Sequence, residues 1–186
     1  GARFIIRRTK NGDTGMLQNQ VLLPEAGNAQ IEKVGGKGKE FWVFGTNYPN
    51  DALPNRPDDA NERGAWRVEV SPAVPAAENY FLNVMQVADN TCKRMNDVKR
   101  IDAGKVVGVQ IADRIVTFSK NSLPLSGKID MKVDGNTSMK FVITDLIPGT
   151  WQIKKDGKVY IPAMEVRSND GILSFEGTAG HYEFLR

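Results

Sequence analysis

The chain has 186 residues and a formal net charge of +3 at pH 7; 40% of its residues are hydrophobic and 25% are charged. This composition is typical of one globular domain or two small ones, and the small basic excess argues against a nucleic-acid partner or a membrane surface. No apolar run is long enough to cross a membrane as a helix, so we expect no membrane span. Cys92 is the single cysteine, which excludes an internal disulfide.

The N-terminal part of the chain predicts short strands separated by turns, over residues 4–8, 16–23, 29–34 and 40–44. The turn signal Asn11-Gly12-Asp13 allows the first two strands to pair as a hairpin. The glycine-rich run at residues 35–39 is followed neither by Gly-Lys-Ser/Thr nor by a helical pattern, so we interpret it as a hairpin connection and not as a phosphate loop. Residues 47–63 are rich in turn formers and predict a long loop.

Two further strands follow this loop, at residues 66–70 and 80–87. In the first, Trp66 and two valines alternate with charged side chains, so we expect Trp66 to lie in the core. The second is apolar on both faces apart from Asn83 and Gln86. A strand of this kind is usually covered on both sides, which predicts a place in the middle of a layered β structure.

The second half of the chain begins with the polar stretch 88–102, whose basic pairs are Lys93-Arg94 and Lys99-Arg100. We interpret this stretch as a solvated loop, with an anionic-ligand patch as the alternative. Within it, residues 89–100 come closest to a helical pattern, although none is convincing. The strands predicted beyond it cover residues 105–111, 114–119, 128–133, 138–144, 150–155, 158–161, 164–167, 172–176 and 182–185.

Short strands with regular turn signals predict an all-β fold, an antiparallel β-sandwich or stacked sheets. The dipeptides Asp134-Gly135, Asp156-Gly157 and Asp170-Gly171 are predicted tight turns. Proline and glycine in residues 121–127 indicate a boundary between a β-sandwich region at 1–122 and a smaller C-terminal β module at 123–186. The sequence leaves open whether these two regions pack as one unit.

Few residues suggest catalysis or metal binding. One histidine and one cysteine are fewer ligands than a nitrogen-rich metal site needs, so we expect no metal and no cofactor. We interpret Cys92 as an incidental thiol in a polar loop. His181 begins the last strand and is predicted to face solvent or cap an edge, with Tyr182 and Phe184 in the core. The acidic cluster Asp58-Asp59 with Glu62 is interpreted as a solvated loop, because no apolar pocket is evident to raise a pKa.

Sugar binding is the more plausible activity, because aromatic faces stack on pyranose rings while amides and charges bond the hydroxyls. The predicted carbohydrate-binding residues are Trp42, Asn47, Tyr48 and Asn50. Trp42 shares a face with Phe44 and is also a candidate core residue, as is Trp151. Tyr48 lies in the irregular loop and is expected to be exposed.

Three segments carry a resemblance to a known family: "LLPEAGNAQIEKVGGKGKEFWVFGTNYP", "WRVEVSPAVPAAENYFLNVMQV" and the tail "DLIPGTWQIKKDGKVYIP" with "GILSFEGTAGHYEFL". The second closely resembles a segment of the C-terminal β region of heparinase II/III-type polysaccharide lyases, and the first resembles the segment that precedes it in that family. The tail looks like the family's small terminal β module with weaker motifs. The resemblance implies a layered antiparallel β region behind an α/α toroid catalytic domain.

The family's catalytic His and Tyr residues and its metal-binding His residues match nothing in this sequence. The resemblance therefore implies a non-catalytic C-terminal region that supports the catalytic domain of a lyase and contacts an acidic polysaccharide. The start at Gly-Ala-Arg, without Met, indicates a fragment of a larger protein. The implied parent is a bacterial polysaccharide lyase, periplasmic or secreted.

Three other readings stay open. The first is a free-standing carbohydrate-binding module, which predicts affinity of the isolated chain for an oligosaccharide. The second is a structural or adhesive domain whose exposed β edges dock a protein. The third is an independent enzyme, which requires unsaturated uronate or reducing ends to appear when this chain alone meets a polysaccharide.

Overall fold

The structure is a computed structural model that describes residues 2–8, 12, 14–48, 66–121 and 123–186. No helix occurs in these ranges, and the regular structure consists of strands, so the predicted all-β fold is confirmed. The strands are β1 Ala2–Arg7, β2 Gly15–Leu23, β3 Ala29–Gly35, β4 Trp42–Val43, β5 Thr46–Asn47, β6 Trp66–Pro72, β7 Leu82–Asp89, β8 Val98–Ala103, β9 Val106–Ile111, β10 Arg114–Ser119, β11 Ile129–Val133, β12 Met139–Ile143, β13 Gly149–Lys155, β14 Lys158–Val166, β15 Leu173–Gly177 and β16 Gly180–Leu185.

The chain divides into two compact units. Unit 1 comprises Gly1–Phe4 and Val21–Asn83, and unit 2 comprises Ile5–Gln20 and Val84–Arg186. The boundary expected near residue 122 stays a prediction of domain organisation. Within unit 2, Ile101 already belongs to the same buried cluster as the side chains of the last six strands.

Unit 2 is built around two stacked sheets. One has five strands in the order β15-β12-β10-β9-β8, and the other has four in the order β11-β16-β13-β14. Side chains from both sheets meet in one core, where the Phe141 ring stacks on Phe175 with centroids 4.7 Å apart. Trp151, Tyr182 and Phe184 are fully buried there, as their alternation along the strands predicts.

The connections of unit 2 differ from a simple series of hairpins. Asp156-Gly157 forms the predicted tight turn, since both residues have positive φ (51° and 78°) between the paired strands β13 and β14. Asp134-Gly135 instead joins β11 to β12, which lie in different sheets, so the tight turn predicted there does not form a hairpin. Because the chain visits the second sheet between β10 and β12, it returns in the same direction and these two strands pair in parallel.

Strand β14 runs without interruption through Pro162, where the sequence predicts two separate strands. Proline cannot donate to a ladder, but β14 is the last strand of its sheet, and one of its sides needs no partner. The register between β13 and β14 shifts around Ile153, and this irregularity accommodates the proline.

Strand β7 differs from the strand predicted at residues 80–87, which was expected in the middle of a layered structure. It is the edge strand of a three-stranded sheet in the order β1-β2-β7. Met85 is 66% exposed and Val87 is 78% exposed, so the predicted coverage on both faces is wrong. The apolar composition of β7 shows that both faces can be buried, and it does not show that both are.

Residues 90–97 form an extended loop with no helix, held to β7 by one amide. The Gln86 side chain is buried, donates from Nε2 to the Asn96 carbonyl and accepts the Asn96 N–H at Oε1, both at 2.9 Å. Of the basic residues near this loop, Arg94 pairs with Asp97 at 2.5 Å and Lys99 pairs with Asp134 at 2.8 Å. The predicted loop is wrong beyond Asp97, because β8 begins at Val98 and buries Ile101; the ion pairs favour a solvated surface over an anionic-ligand patch.

Candidate functional site

Strands β3 and β6 of unit 1 form an antiparallel ribbon that gives the candidate site its floor. The register sets Glu32 opposite Glu69 and Val34 opposite Arg67. Since cross-strand partners share a face, these four side chains point to one side of the ribbon. The other side carries Trp66 with half-buried Ile31, Val68 and Val70.

A second, shorter hairpin supplies the wall. Strands β4 and β5 pair Trp42 with Asn47 and Val43 with Thr46, and the turn between them is Phe44-Gly45. Both turn residues have positive φ, 46° and 84°, which is the geometry of a two-residue hairpin turn. The strand predicted over residues 40–44 is therefore wrong in extent: it is regular only at Trp42–Val43, because the turn begins at Phe44.

Between this hairpin and the ribbon lies an open groove of about 500 Å³. The lining side chains that matter for binding are Glu32, Lys39, Trp42, Phe44, Arg67 and Glu69. Trp42 is half-buried, whereas Phe44 is fully exposed. A bulky residue at positive φ is uncommon, and such backbone strain clusters at functional positions.

The charges of the groove are nearly balanced. On the floor, Arg67 Nε donates to Glu69 Oε1 at 2.6 Å, so this cation and this carboxylate neutralise each other. Glu32 adds a second carboxylate directly opposite Glu69. The Lys39 ammonium lies over the Trp42 ring, 5.0 Å from its centroid. The groove therefore combines an aromatic face, hydrogen-bond acceptors and two cations outside the ion pair, Lys39 and Lys33, of which Lys33 lies over Trp66 on the other side of the ribbon.

The structure brings together only part of the predicted carbohydrate-binding set. Trp42 lines the groove, and Asn47 lies opposite it across the hairpin. The Asn47 Oδ1 accepts the Phe41 N–H at 2.9 Å, which makes this side chain a support of the hairpin. Tyr48 is 56% exposed, as expected, but it does not line the groove. Asn50 lies outside the described residues, as does the acidic cluster at residues 58–62, and the binding roles of all four predicted residues stay predictions.

Trp66 is not the core residue that its alternation suggests, because 52% of its surface is exposed. It ends the apolar side of the ribbon, where the Lys33 ammonium lies 3.7 Å from the ring centroid. Gly36 packs against the same ring: a Cβ at this position would lie 2.7 Å from it. A two-stranded ribbon cannot bury a tryptophan at its end, so the cation and the glycine cover part of the ring.

Most residues of the groove could not be predicted from the sequence. Phe44 was grouped with Trp42 as a core residue, and Glu32, Lys39 and Arg67 were not singled out. The dipeptide Phe44-Gly45 carries the one local signal, since glycine after an aromatic residue is compatible with a hairpin turn. The remaining residues meet only because β3 and β6, which are distant in sequence, pair with each other.

In unit 2, His181 is exposed as predicted, and its Nε2 bonds to Asp130 across strands β11 and β16. The Lys128 ammonium bonds to both Asp130 and Glu183. The hydrogen bonds from His181 and then Lys128 lower the pKa of Asp130, and the bond from Lys128 lowers the pKa of Glu183. This network lies on an open sheet surface.

The described residues form neither a metal-binding cluster nor a membrane-spanning helix. They contain no group of three or more His, Cys, Asp or Glu side chains arranged to hold a metal ion. They also contain no helix able to span a membrane. Cys92 is half-buried, and its thiol donates to the Arg94 carbonyl at 3.3 Å.

Comparison with known proteins adds one match. Residues 100–186, just under half of the chain, match the family model described as the heparinase II C-terminal domain. A search of the curated proteins found no match. The matched segment contains most of the two-sheet core of unit 2, whereas the groove of unit 1 and the resemblance at residues 21–88 lie outside it. Residues 100–186 are therefore similar to a heparinase II C-terminal domain, and the resemblance of this chain to the C-terminal region of heparinase II/III-type lyases is confirmed.

Proposed function

We propose that the chain is the non-catalytic C-terminal β region of a heparinase II/III-type polysaccharide lyase, which stabilises the catalytic domain and contacts an acidic polysaccharide. The observation that carries the proposal is the match of residues 100–186 to a heparinase II C-terminal domain. By the same proposal, the parent protein is bacterial and works in the periplasm or outside the cell, where polysaccharides are encountered.

The residues of the groove fit binding better than elimination. Cleavage of a uronic-acid polysaccharide by β-elimination needs a base, commonly His or Tyr, together with a group that neutralises the carboxylate. The groove lining contains neither His nor Tyr among the residues that the structure describes. His181 is held by Asp130 on an open surface of unit 2, which lacks the walls that would position a sugar.

Exposed apolar side chains in unit 2 support the stabilising role. Ile5 and Ile6 in β1 and Met85 and Val87 in β7 are all exposed. Met85 and Val87 lie on the same face of β7, and neighbouring exposed apolar side chains on a soluble domain are typical of surfaces that another protein covers. A catalytic domain of the same parent chain is the partner that the family match favours.

An unfolding experiment with the parent's catalytic domain tests this role. The domain would be taken from the reading frame upstream of the codon for Ala2 and produced with and without this chain. We expect the chain to raise the Tm of the catalytic domain, and Val87→Ser to reduce this gain without changing the Tm of the isolated chain. Val159→Ser, at another exposed valine of unit 2, is the matched control. Equal Tm values with and without the chain would contradict the stabilising role.

A second assay tests the non-catalytic role. The chain alone, added to heparin, heparan sulfate or alginate, should give no increase in the ultraviolet absorbance of unsaturated uronate. A steady increase that scales with chain concentration would show that this chain is itself a lyase.

The groove also favours a second candidate, a free-standing carbohydrate-binding module. Trp42 and the fully exposed Phe44 form an aromatic wall beside hydrogen-bonding groups, as sugar sites do. Titration calorimetry with the isolated chain distinguishes the two. Binding without any effect on a catalytic domain favours the module, and no heat with a broad glycan panel excludes it.

A further inference from the structure

We infer that the groove of unit 1 selects unsulfated, uronate-containing glycans over sulfated ones, with one pyranose ring on Trp42, its carboxylate at Lys39 and its hydroxyls on Glu32 and Glu69. This inference rests on the proposed contact with an acidic polysaccharide and names the class of polysaccharide.

The charge balance of the floor is the first argument. Arg67 is engaged with Glu69 at 2.6 Å, so its charge is already neutralised inside the groove. Glu32, opposite Glu69, then leaves the floor with an excess carboxylate. A sulfate placed over this floor would meet like charge, and like-charge contacts weaken binding and exclude the wrong partner.

The same carboxylates suit sugar hydroxyls. An ionised carboxylate offers acceptor sites only, and hydroxyl groups donate to it in charge-assisted hydrogen bonds. An unsulfated uronate presents several free hydroxyls, whereas sulfation replaces those donors with negatively charged acceptors. The floor therefore favours the unsulfated form and disfavours the sulfated form at the same positions.

Lys39 accounts for the carboxylate. It is the one cation of the described lining whose charge is neither paired with a carboxylate nor directed to the far side of the ribbon, as Lys33 is. Its ammonium lies over the Trp42 ring, 5.0 Å from the centroid, so a pyranose that stacks on this face displaces the ammonium to the edge of the ring, where it meets a substituent of the sugar. A single cation suits one carboxylate per ring, and not a dense array of anionic groups.

The aromatic wall supplies the stacking surface. Trp42 is half-buried and therefore held in place, while Phe44 projects from the turn with its whole side chain exposed. Phe44 keeps a left-handed backbone (φ 46°) at a position where glycine would be less strained. An exposed aromatic ring at such a position is consistent with selection for contact and not for packing.

Three oligosaccharides of equal length test the inference by titration calorimetry. The first is an unsulfated oligosaccharide that contains glucuronate, the second is its N- and O-sulfated form, and the third is its carboxyl-reduced, neutral form. We expect the unsulfated acid to bind most tightly and each of the other two to bind at least about threefold more weakly, the effect of one exposed charge contact. Binding of the unsulfated acid should depend only weakly on salt.

Five variants assign the effects to residues. Trp42→Ala should weaken binding of the unsulfated acid about tenfold, whereas Trp66→Ala, on the other side of the ribbon, should not change it. Lys39→Ala should remove the preference for the acid over its carboxyl-reduced form, with the exposed Lys37→Ala as its control. In the fifth variant, Glu32→Gln, the discrimination against the sulfated form should shrink, because the repelling charge is gone and the shape is kept.

The outcomes separate this inference from the proposed function. Tighter binding of the sulfated form overturns the inference and leaves the contact with acidic polysaccharide standing. Equal binding of the carboxyl-reduced form overturns the role of Lys39, and equal losses in Trp42→Ala and Trp66→Ala overturn the placement in the groove. If none of the three ligands binds, the proposed polysaccharide contact itself fails.

Discussion

Gly177 at the end of β15 leaves no room for a side chain, and this crowding gives a sharp test of the core of unit 2. A Cβ there would fall within 3.0 Å of the Tyr182 hydroxyl and 3.3 Å from a ring carbon of Phe141. Tyr182 is fully buried, and its hydroxyl donates to the Thr178 carbonyl at 2.6 Å, so it has no free direction in which to move. Gly177→Ala should therefore strain the centre of the aromatic cluster.

The size of the effect follows from two opposing contributions. Overpacking a well-packed core costs about 1–3 kcal/mol, while replacing glycine by alanine within a strand recovers about 0.5–1 kcal/mol. We expect Gly177→Ala to lower the free energy of unfolding by about 1–2 kcal/mol. Tyr182→Phe alone should cost about 1–2 kcal/mol, because the hydrogen bond from the buried Tyr182 hydroxyl to the Thr178 carbonyl is lost.

The double variant decides whether the hydroxyl is the cause. Once Tyr182→Phe removes the oxygen, the nearest atoms to a Cβ added at Gly177 would be ring carbons at 3.3 Å, which is tight but tolerable. Adding Gly177→Ala to Tyr182→Phe should then cost little, with a coupling of about 1 kcal/mol or more. Urea unfolding followed by circular dichroism measures all four proteins, and Gly15→Ala, at an uncrowded glycine of unit 2, is the control. Additive losses in the double variant would refute the reasoning.

Three further predictions concern buried polar groups, each measured by urea unfolding. Thr117 has a buried hydroxyl oxygen without a partner among the described residues, so Thr117→Val should raise the free energy of unfolding by about 1 kcal/mol. Thr144→Val removes a 2.9 Å hydrogen bond to the Thr117 carbonyl and should lower the free energy of unfolding by about 1 kcal/mol. Equal changes in the two variants would contradict this reasoning. Gln86→Leu should cost about 1–3 kcal/mol, because both hydrogen bonds to Asn96 are lost, and an unchanged free energy of unfolding would show that water replaces them. Burial raises the pKa of Tyr182 from 10.0 to about 12. The stability linked to its protonated hydroxyl is therefore complete below pH 10 and is lost as the pH rises through 12. Tyr182→Phe should remove this alkaline decline in stability, and a decline that persists in the variant would show that another group causes it.

The two parts of the chain relate differently to the family. The match covers residues 100–186, where two sheets enclose the core of unit 2. The sequence motifs of this part resemble the family less strongly than those at residues 21–88. The stronger motifs at residues 21–88 lie mainly in unit 1, where the groove is found. The family match therefore describes the sandwich, and the binding role of the groove depends on its own residues.

The candidate site could be predicted only in part. The exposure of Tyr48 followed from its irregular loop, and Trp42 was a candidate from its residue type. Phe44 was missed because alternation groups it with Trp42 as strand residues, whereas the turn at Gly45 ends the strand first. Glu32 and Arg67 could not be assigned to one site, because their proximity depends on the pairing of two strands that are distant in sequence.

The sequence by itself determined the features of this protein that arise from neighbouring residues. Alternating side chains placed Trp151, Tyr182 and Phe184 in the core, and Asp156-Gly157 set a hairpin, since both depend on strand geometry and local backbone preference. Only the tertiary structure decided which strands pair, which strand lies at an edge and which face is covered. The parallel pairing of β10 with β12 and the open face of β7 are of this kind, because a period of two shows which residues share a face and carries no information about what covers it.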